Sequence, residues 1–265
     1  MNDILLAVGM LSGIGVMFGL LLAWASKKFH VDVDPRVARI MELLPGANCG
    51  ACGAAGCGSF AEGLVEKKYS LNSCVACAAE QRLRLAEVLG ASTDDLSQSI
   101  AQIAVVGCGG GTRCLDSFAY RGLPDCRVAA QALGGHKQCR YGCLGQGTCQ
   151  KACPFGAITM GDDNLPHVSP SACRGCKKCV AVCPRGIMYM VERKKKVYVA
   201  CRSRDKGPLV MKKCTAGCIA CGRCVKICPV QAITLENNLA TINYATCISC
   251  KKCVSACPTK AIAEL

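Results

Sequence analysis

Three stretches of this chain share the spacing Cys-x2-Cys-x2-Cys-x3-Cys-Pro: Cys173, Cys176, Cys179 and Cys183-Pro184; Cys218, Cys221, Cys224 and Cys228-Pro229; Cys247, Cys250, Cys253 and Cys257-Pro258. A fourth quartet, Cys139, Cys143, Cys149 and Cys153-Pro154, is looser at its start. The 265 residues include 26 cysteines but only 5% aromatic residues from which to build cores. Small domains poor in apolar core are held by disulfides or metals. A disulfide scaffold does not need a proline-terminated quartet, and nothing at the N-terminus reads as a secretory signal. A zinc ribbon needs two CxxC pairs rather than this run. Metal-bound thiolates in a reduced, cytoplasm-facing compartment are the expectation.

The three regular quartets match the run of bacterial ferredoxins, in which three thiolates hold one cubane and the fourth ligates its neighbour. The Cys-Pro marks at 153, 183, 228 and 257 are separated by 30, 45 and 29 residues, which suggests two modules of two clusters each. After each mark comes a short apolar run, within 156–160, 186–190, 232–235 and 261–263, that reads as a strand. Turn signals at 161–164 and 236–238 separate strands. The fold class predicted is α+β. Swapped ligation then groups Cys139, Cys143, Cys149 with Cys183, and Cys173, Cys176, Cys179 with Cys153. In the second module it groups Cys218, Cys221, Cys224 with Cys257, and Cys247, Cys250, Cys253 with Cys228.

Residues 4–26 carry no charge and are long enough for a transmembrane helix. Asp3 precedes them and Lys27 and Lys28 follow, so the positive-inside rule leaves the later domains on the cytoplasmic side of a single-pass anchor. Ala23-Trp24-Ala25 resembles a cleavage site, but the start lacks a basic segment and the apolar run is too long. Asp34-Pro35 reads as the cap and first residue of a short helix. Behind it, Cys49, Cys52, Cys57 and Cys74 form a separate glycine-rich quartet for one [4Fe-4S] cluster, with Cys77 as an alternative fourth ligand. Six cysteines lie outside the quartets: Cys77, Cys108, Cys114, Cys126, Cys201 and Cys214. One further cubane on Cys108, Cys126, Cys201 and Cys214, with Cys114 able to replace Cys108, would staple the modules together. Five clusters are therefore expected and a sixth is possible. The domains so read are an anchor (1–30), an N-terminal cluster domain (31–90), a linker with extra cysteines (91–135), a first module (136–200), an insertion (201–215) and a second module (216–265).

The formal charge of +14 counts every cysteine as neutral. Each oxidised four-thiolate cubane carries about −2, so six sites would offset roughly 12 charges. Nucleic-acid binding is not read from that balance. Lys and Arg serve instead as counter-charges and as a docking surface for an acidic electron carrier. Arg193-Lys194-Lys195-Lys196 reads as a solvated turn between strands, and His30, His136 and His167 as ordinary surface or packed histidines. Gly109-Gly110-Gly111 completes no dinucleotide fingerprint, and no catalytic residue is expected.

The order of anchor helix, Asp34-Pro35-Arg36, Leu44-Pro45-Gly46-Ala47-Asn48-Cys49-Gly50, then Tyr141-Gly142-Cys143-Leu144-Gly145 before paired ferredoxin motifs resembles the B subunit of Rnf complexes. Cys74-Val75-Ala76-Cys77 departs from the proline-rich continuation expected of that family. The resemblance implies a membrane-bound electron relay within an Na+- or H+-translocating ferredoxin:NAD+ oxidoreductase. It would be reduced by soluble ferredoxin and would pass electrons to other membrane and peripheral subunits. A polyferredoxin subunit of another membrane dehydrogenase or hydrogenase is the alternative, and a structural zinc protein the non-redox one.

Overall fold

The computed structural model describes residues 2–29, 34–90 and 102–265. His30 falls outside them, as does part of the 91–135 segment. The first helix, α1 (Asn2–Lys28), is unbroken, and from Val8 onward its large apolar side chains face outward. Its length and composition suffice to cross a bilayer.

The N-terminal cluster domain is a small helical unit. Helix α2 (Pro35–Leu43) starts where expected, with the Asp34 carboxylate accepting the Arg36 amide. Its buried Val37 and Ile40 pack with Phe60 and Leu64 of α3 (Cys57–Val65) and Leu85 of α4 (Ala79–Leu89). Gly63 lets the Tyr69 ring lie against α3, where a Cβ would stand 2.3 Å from it. Tyr69 in turn packs on Phe60, ring centroids 5.7 Å apart.

Two α+β modules follow, each a pair of two-stranded antiparallel sheets. In the first, β1 (Gln102–Val106) pairs with β4 (Met188–Glu192), and β2 (Ile158–Met160) with β3 (Pro166–Val168). In the second, β5 (Val197–Val199) pairs with β8 (Ile262–Glu264), and β6 (Ile233–Glu236) with β7 (Leu239–Ile242). Strands β2, β4, β6 and β8 are the runs expected after each Cys-Pro. The boundaries shift, however. Strand β1 lies in the stretch read as linker and closes the first module, while β5 falls before residue 201 yet pairs within the second. Both are short; β5 follows the turn read at 193–196, whereas no turn signal announces β1. The helices that follow the cysteine loops are short: α6 (Thr148–Lys151), α7 (Lys178–Ala181), α9 (Arg223–Ile227) and α10 (Lys252–Ala256). Two insertions interrupt the modules and carry α5 (Cys126–Gln131) and α8 (Gly207–Lys213).

The stretch 193–196 is more than a solvated turn. Arg193 donates to the Cys173 carbonyl at 2.7 Å and Lys195 to that of Cys247 at 2.8 Å, so it ties a cysteine loop of each module to the connection between them. The Tyr189 hydroxyl on β4 bonds both the N–H and the C=O of Val199 on β5, each at 3.0 Å.

Gly111 and Gly134 both take left-handed φ values, +45° and +74°, but only at Gly111 would a Cβ meet backbone, 2.0 Å from the Asp163 oxygen. Gly134→Ala should cost about 1–2 kcal/mol of conformational strain, and Gly111→Ala that plus an overpacking cost of about 1–3 kcal/mol. Anaerobic guanidinium unfolding of the two variants measures the gap; equal losses would contradict the close approach at Gly111.

Candidate metal centres

The N-terminal set is built by a loop folded back on itself. The Asn48 side chain accepts the Cys57 amide at 2.7 Å and closes the Cys49-to-Cys57 segment. Cys49, Cys52, Cys57 and Cys74 line one cavity of about 320 Å³. Cys77 does not line it. Its thiol instead bonds Cys74, and this contact holds Cys74 down at about 6. The same bond, with burial, pushes Cys77 upward. Cys74 is thus the member of the pair that faces the cavity, with Cys77 behind it.

In the second module, Cys218, Cys221, Cys224 and Cys257 line a cavity of about 360 Å³. Cys228, Cys247, Cys250 and Cys253 line another of about 330 Å³. The loops between these cysteines bend through left-handed residues at matched places: Ala220 and Gly222 in one, Ser249 and Lys251 in the other. Successive N–H groups then turn inward, as in an anion-binding nest. The Cys228 and Cys257 sulfurs accept amides of Ala232 at 3.3 Å and Ala261 at 3.2 Å. Such bonds favour the thiolate.

In the first module, Cys173, Cys176 and Cys179 repeat the pattern, with Gly175 and Lys177 left-handed. Cys179 is pushed up to about 12, first by burial, then by neighbouring thiols that include Cys173, Cys176 and Cys153. The other set differs from the expectation. Gly145 and Gly147 are left-handed at the matching places of the next loop, and the residue between them is Gln146. Counted back from Cys153-Pro154, Cys143 and Cys149 keep the regular spacing and Gln146 stands where a middle cysteine would be. Cys126, at the start of α5, comes in from the insertion, its amide bonded to the Thr148 hydroxyl at 2.6 Å. Cys143 is raised first by burial and then by thiols, Cys108 ahead of Cys126 and Cys149. Cys149 feels Cys126 and Cys183 in the same way, after burial. Cys126 thus lies near Cys143 and Cys149, while Cys139 lines a different cavity.

Cys139 lies at the junction between the modules. It lines a cavity of about 340 Å³ with Cys108, Cys114, Cys201 and Cys214. Of the expected grouping of Cys108, Cys126, Cys201 and Cys214, Cys126 does not line this cavity. The two insertions meet here as a short antiparallel bridge, Leu115 N–H to the Lys213 carbonyl at 2.9 Å and Thr215 N–H to that of Arg113 at 3.3 Å. Lys137, only 8% exposed, braces the chamber wall by donating to the carbonyls of Gly111 and Cys114, and pairs with Asp116 at 2.8 Å. His136 is packed, stacked on Tyr120, and His167 bonds Asp163 at 3.0 Å. Among the described residues no three His, Cys, Asp or Glu donors converge on a single ion. Cysteines spread around a cavity suit a polynuclear centre, whose sulfurs sit on different metals, better than one zinc with four sulfurs at about 2.3 Å.

The profile for an Fe-S cluster motif matches residues 44–76. Profiles for a 4Fe-4S dicluster domain match residues 138–187, 172–233 and 217–262. Over 92% of its length the chain is 44% identical to the B subunit of the Na(+)-translocating ferredoxin:NAD(+) oxidoreductase complex of Acetobacterium woodii, covering 73% of that protein. It is 40% identical over the same share to the B subunit of the ion-translocating oxidoreductase complex of Methanosarcina acetivorans, covering 92% of it. The B subunit of the proton-translocating ferredoxin:NAD(+) oxidoreductase complex of Clostridium ljungdahlii is also 40% identical, with 85% covered. The chain belongs to the B-subunit family of ion-translocating oxidoreductase complexes. Members of this family are parts of multi-subunit complexes, and the dicluster profiles over the cysteine sets make this one a [4Fe-4S] protein. The cavities fit that group: each is lined by four or five sulfurs, and the two in the second module have paired left-handed residues in their cysteine loops.

Two substitutions separate ligands from neighbours in this protein. Cys74→Ala should lose about four irons per chain whereas Cys77→Ala keeps them, read by iron and acid-labile sulfide analysis; the reverse result would make Cys77 the ligand. Gln146→Cys should restore the iron lost from Cys126→Ala, since it supplies a sulfur at the matching place in the loop. Failure of that rescue, with the double variant otherwise folded, would contradict the pairing of Cys126 with this loop.

Proposed function

We propose that this chain is the membrane-anchored electron-transfer subunit of an ion-translocating ferredoxin:NAD+ oxidoreductase. In this reading it takes electrons from reduced ferredoxin and passes them toward the other subunits. The observation that carries the reading is the set of cysteine-lined cavities strung in order behind an apolar helix. When bound, each [4Fe-4S] cluster accepts and releases one electron. The chain makes and breaks no substrate bonds.

Five clusters account for twenty cysteines: Cys49, Cys52, Cys57 and Cys74; Cys126, Cys143, Cys149 and Cys183; Cys153, Cys173, Cys176 and Cys179; Cys218, Cys221, Cys224 and Cys257; Cys228, Cys247, Cys250 and Cys253. Burial of these thiols from water, and the amides that reach them, would set the potentials. Lys27 and Lys28 after α1 support an orientation with the cluster domains on the cytoplasmic side.

Exposure supports the second module as the uptake end. Cys221 and Cys250 are the two exposed cysteines of the 26. Beside them stand exposed Lys252 and, next to the other cavity, Arg223, with Ile248 61% exposed nearby. A basic rim round an apolar patch suits an acidic redox protein, and the attraction steers encounter. Arg223→Glu with Lys252→Glu should slow reduction by ferredoxin about tenfold at low salt, with the gap closing at high salt. Reduction by dithionite should be unchanged. An unaltered ferredoxin rate, measured by stopped flow, would move the docking surface elsewhere.

A further inference from the structure

The N-terminal domain and the first module each have a hydrophobic cluster of their own, and among the described residues one side chain packs against both, that of Phe155. It stands immediately after Cys153-Pro154, on the loop that brings a sulfur to the set of Cys153, Cys173, Cys176 and Cys179. That loop is fixed just beyond it. Gly156 turns through a left-handed φ of +59°, and its amide donates to the Cys153 carbonyl at 3.4 Å. The Ala157 amide donates to the Cys153 sulfur, also at 3.4 Å. Phe155 is therefore anchored to the backbone of a cysteine loop while its half-buried side chain reaches the core of another domain.

The sulfurs on the two sides of this contact adjoin. Cys176 is raised first by burial, and among neighbouring thiols Cys49 acts on it ahead of Cys153 and Cys173, which belong to its own set. Coulomb effects weaken with distance, so the Cys49 set stands beside the Cys176 set.

The three equivalent positions after Cys-Pro have other occupants. Arg185 donates to the carbonyls of Gly134 and Arg140 and so grips the segment that follows α5. Val230 and Thr259 line cavities of their own module. An aromatic side chain thus stands at this position only where a further domain is seated. Aromatic side chains bring a large apolar area to such a contact.

We propose that Phe155 is a positioning residue for electron transfer: it seats the N-terminal domain on the first module and so holds the Cys49 set at a fixed separation from the Cys153 set. The proposal rests on the reading that both sets hold [4Fe-4S] clusters. Phe155 itself touches no metal and carries no charge. In the hop it governs, one electron leaves the first-module centre and reduces the N-terminal one, with no bond made or broken.

The test uses the complex purified without oxygen. Two reduced centres held close together broaden each other's EPR lines, so line shape reports their separation independently of any rate. Phe155→Ala should keep the native iron and acid-labile sulfide, lose the broadening of the N-terminal signal, and delay the arrival of spin there several-fold after mixing with reduced ferredoxin. Arrival at the first-module centres should be unchanged. Phe155→Leu, which keeps an apolar side chain at the contact, should restore the native line shape. Native line shape and timing in the alanine variant would overturn the proposal. So would loss of iron from it, which would make Phe155 a support of the Cys153 loop instead, or a leucine variant no better than alanine. Cys52→Ala is the control on the underlying reading: if it loses no iron, the failure lies in the N-terminal cluster and not in the seating by Phe155.

Discussion

Convergence of thiolates on shared centres supplements the three small hydrophobic clusters that this chain builds. The strands of the two modules are three to five residues long and every sheet among the described residues has two strands. Pieces of that size are marginal alone. What holds them is the requirement that cysteines from separate loops reach one point. The loops accept strain to meet it. Lys177, Ala220, Ser249 and Lys251 sit in the left-handed region, at about 1–2 kcal/mol each for a residue with a Cβ. Such geometry persists where surroundings over-determine it. Binding energy of the centres is in this sense folding energy.

The same constraint explains the architecture between the modules. A ferredoxin module is self-sufficient, since each proline-linked cysteine crosses to the partner centre. Two such modules joined by a plain linker would be two separate wires. Here the insertions meet as a bridge, Tyr189 of one module clasps Val199 of the other, and Arg202 lies over Tyr189 and against Gly107. A Cβ on Gly107 would stand 2.9 Å from the Arg202 Nε, so glycine is what permits that approach. These contacts tie the two modules together at the junction. In the proposed relay the exposed second module is the uptake end and the N-terminal domain that follows α1 the other.

The regular quartets, their Cys-Pro strands, the apolar helix and the capped α2 were all legible in sequence, because each is a local signal with a local cause. The first quartet was not. Reading it forward from Cys139 gave a loose motif; reading it backward from Cys153-Pro154 shows regular spacing with Gln146 in the middle place, flanked by two glycines. That alignment was available in the sequence and points to a ligand arriving from elsewhere. Which cysteine arrives was not available, since Cys126 approaches through a tertiary contact with Thr148. Strand β1 was missed for a related reason: its partner lies far along the chain, so no turn announces it. The turn at 193–196 announced a strand where β5 begins, but not that its partner is β8.

The central claim is that the cysteine sets form one path from the second module to the anchor. Rapid-freeze EPR after mixing the complex with substoichiometric reduced ferredoxin tests it most directly. Spin should appear first on the second-module centres and reach the N-terminal centre last. Reduction of the N-terminal centre before those of the second module would contradict the account.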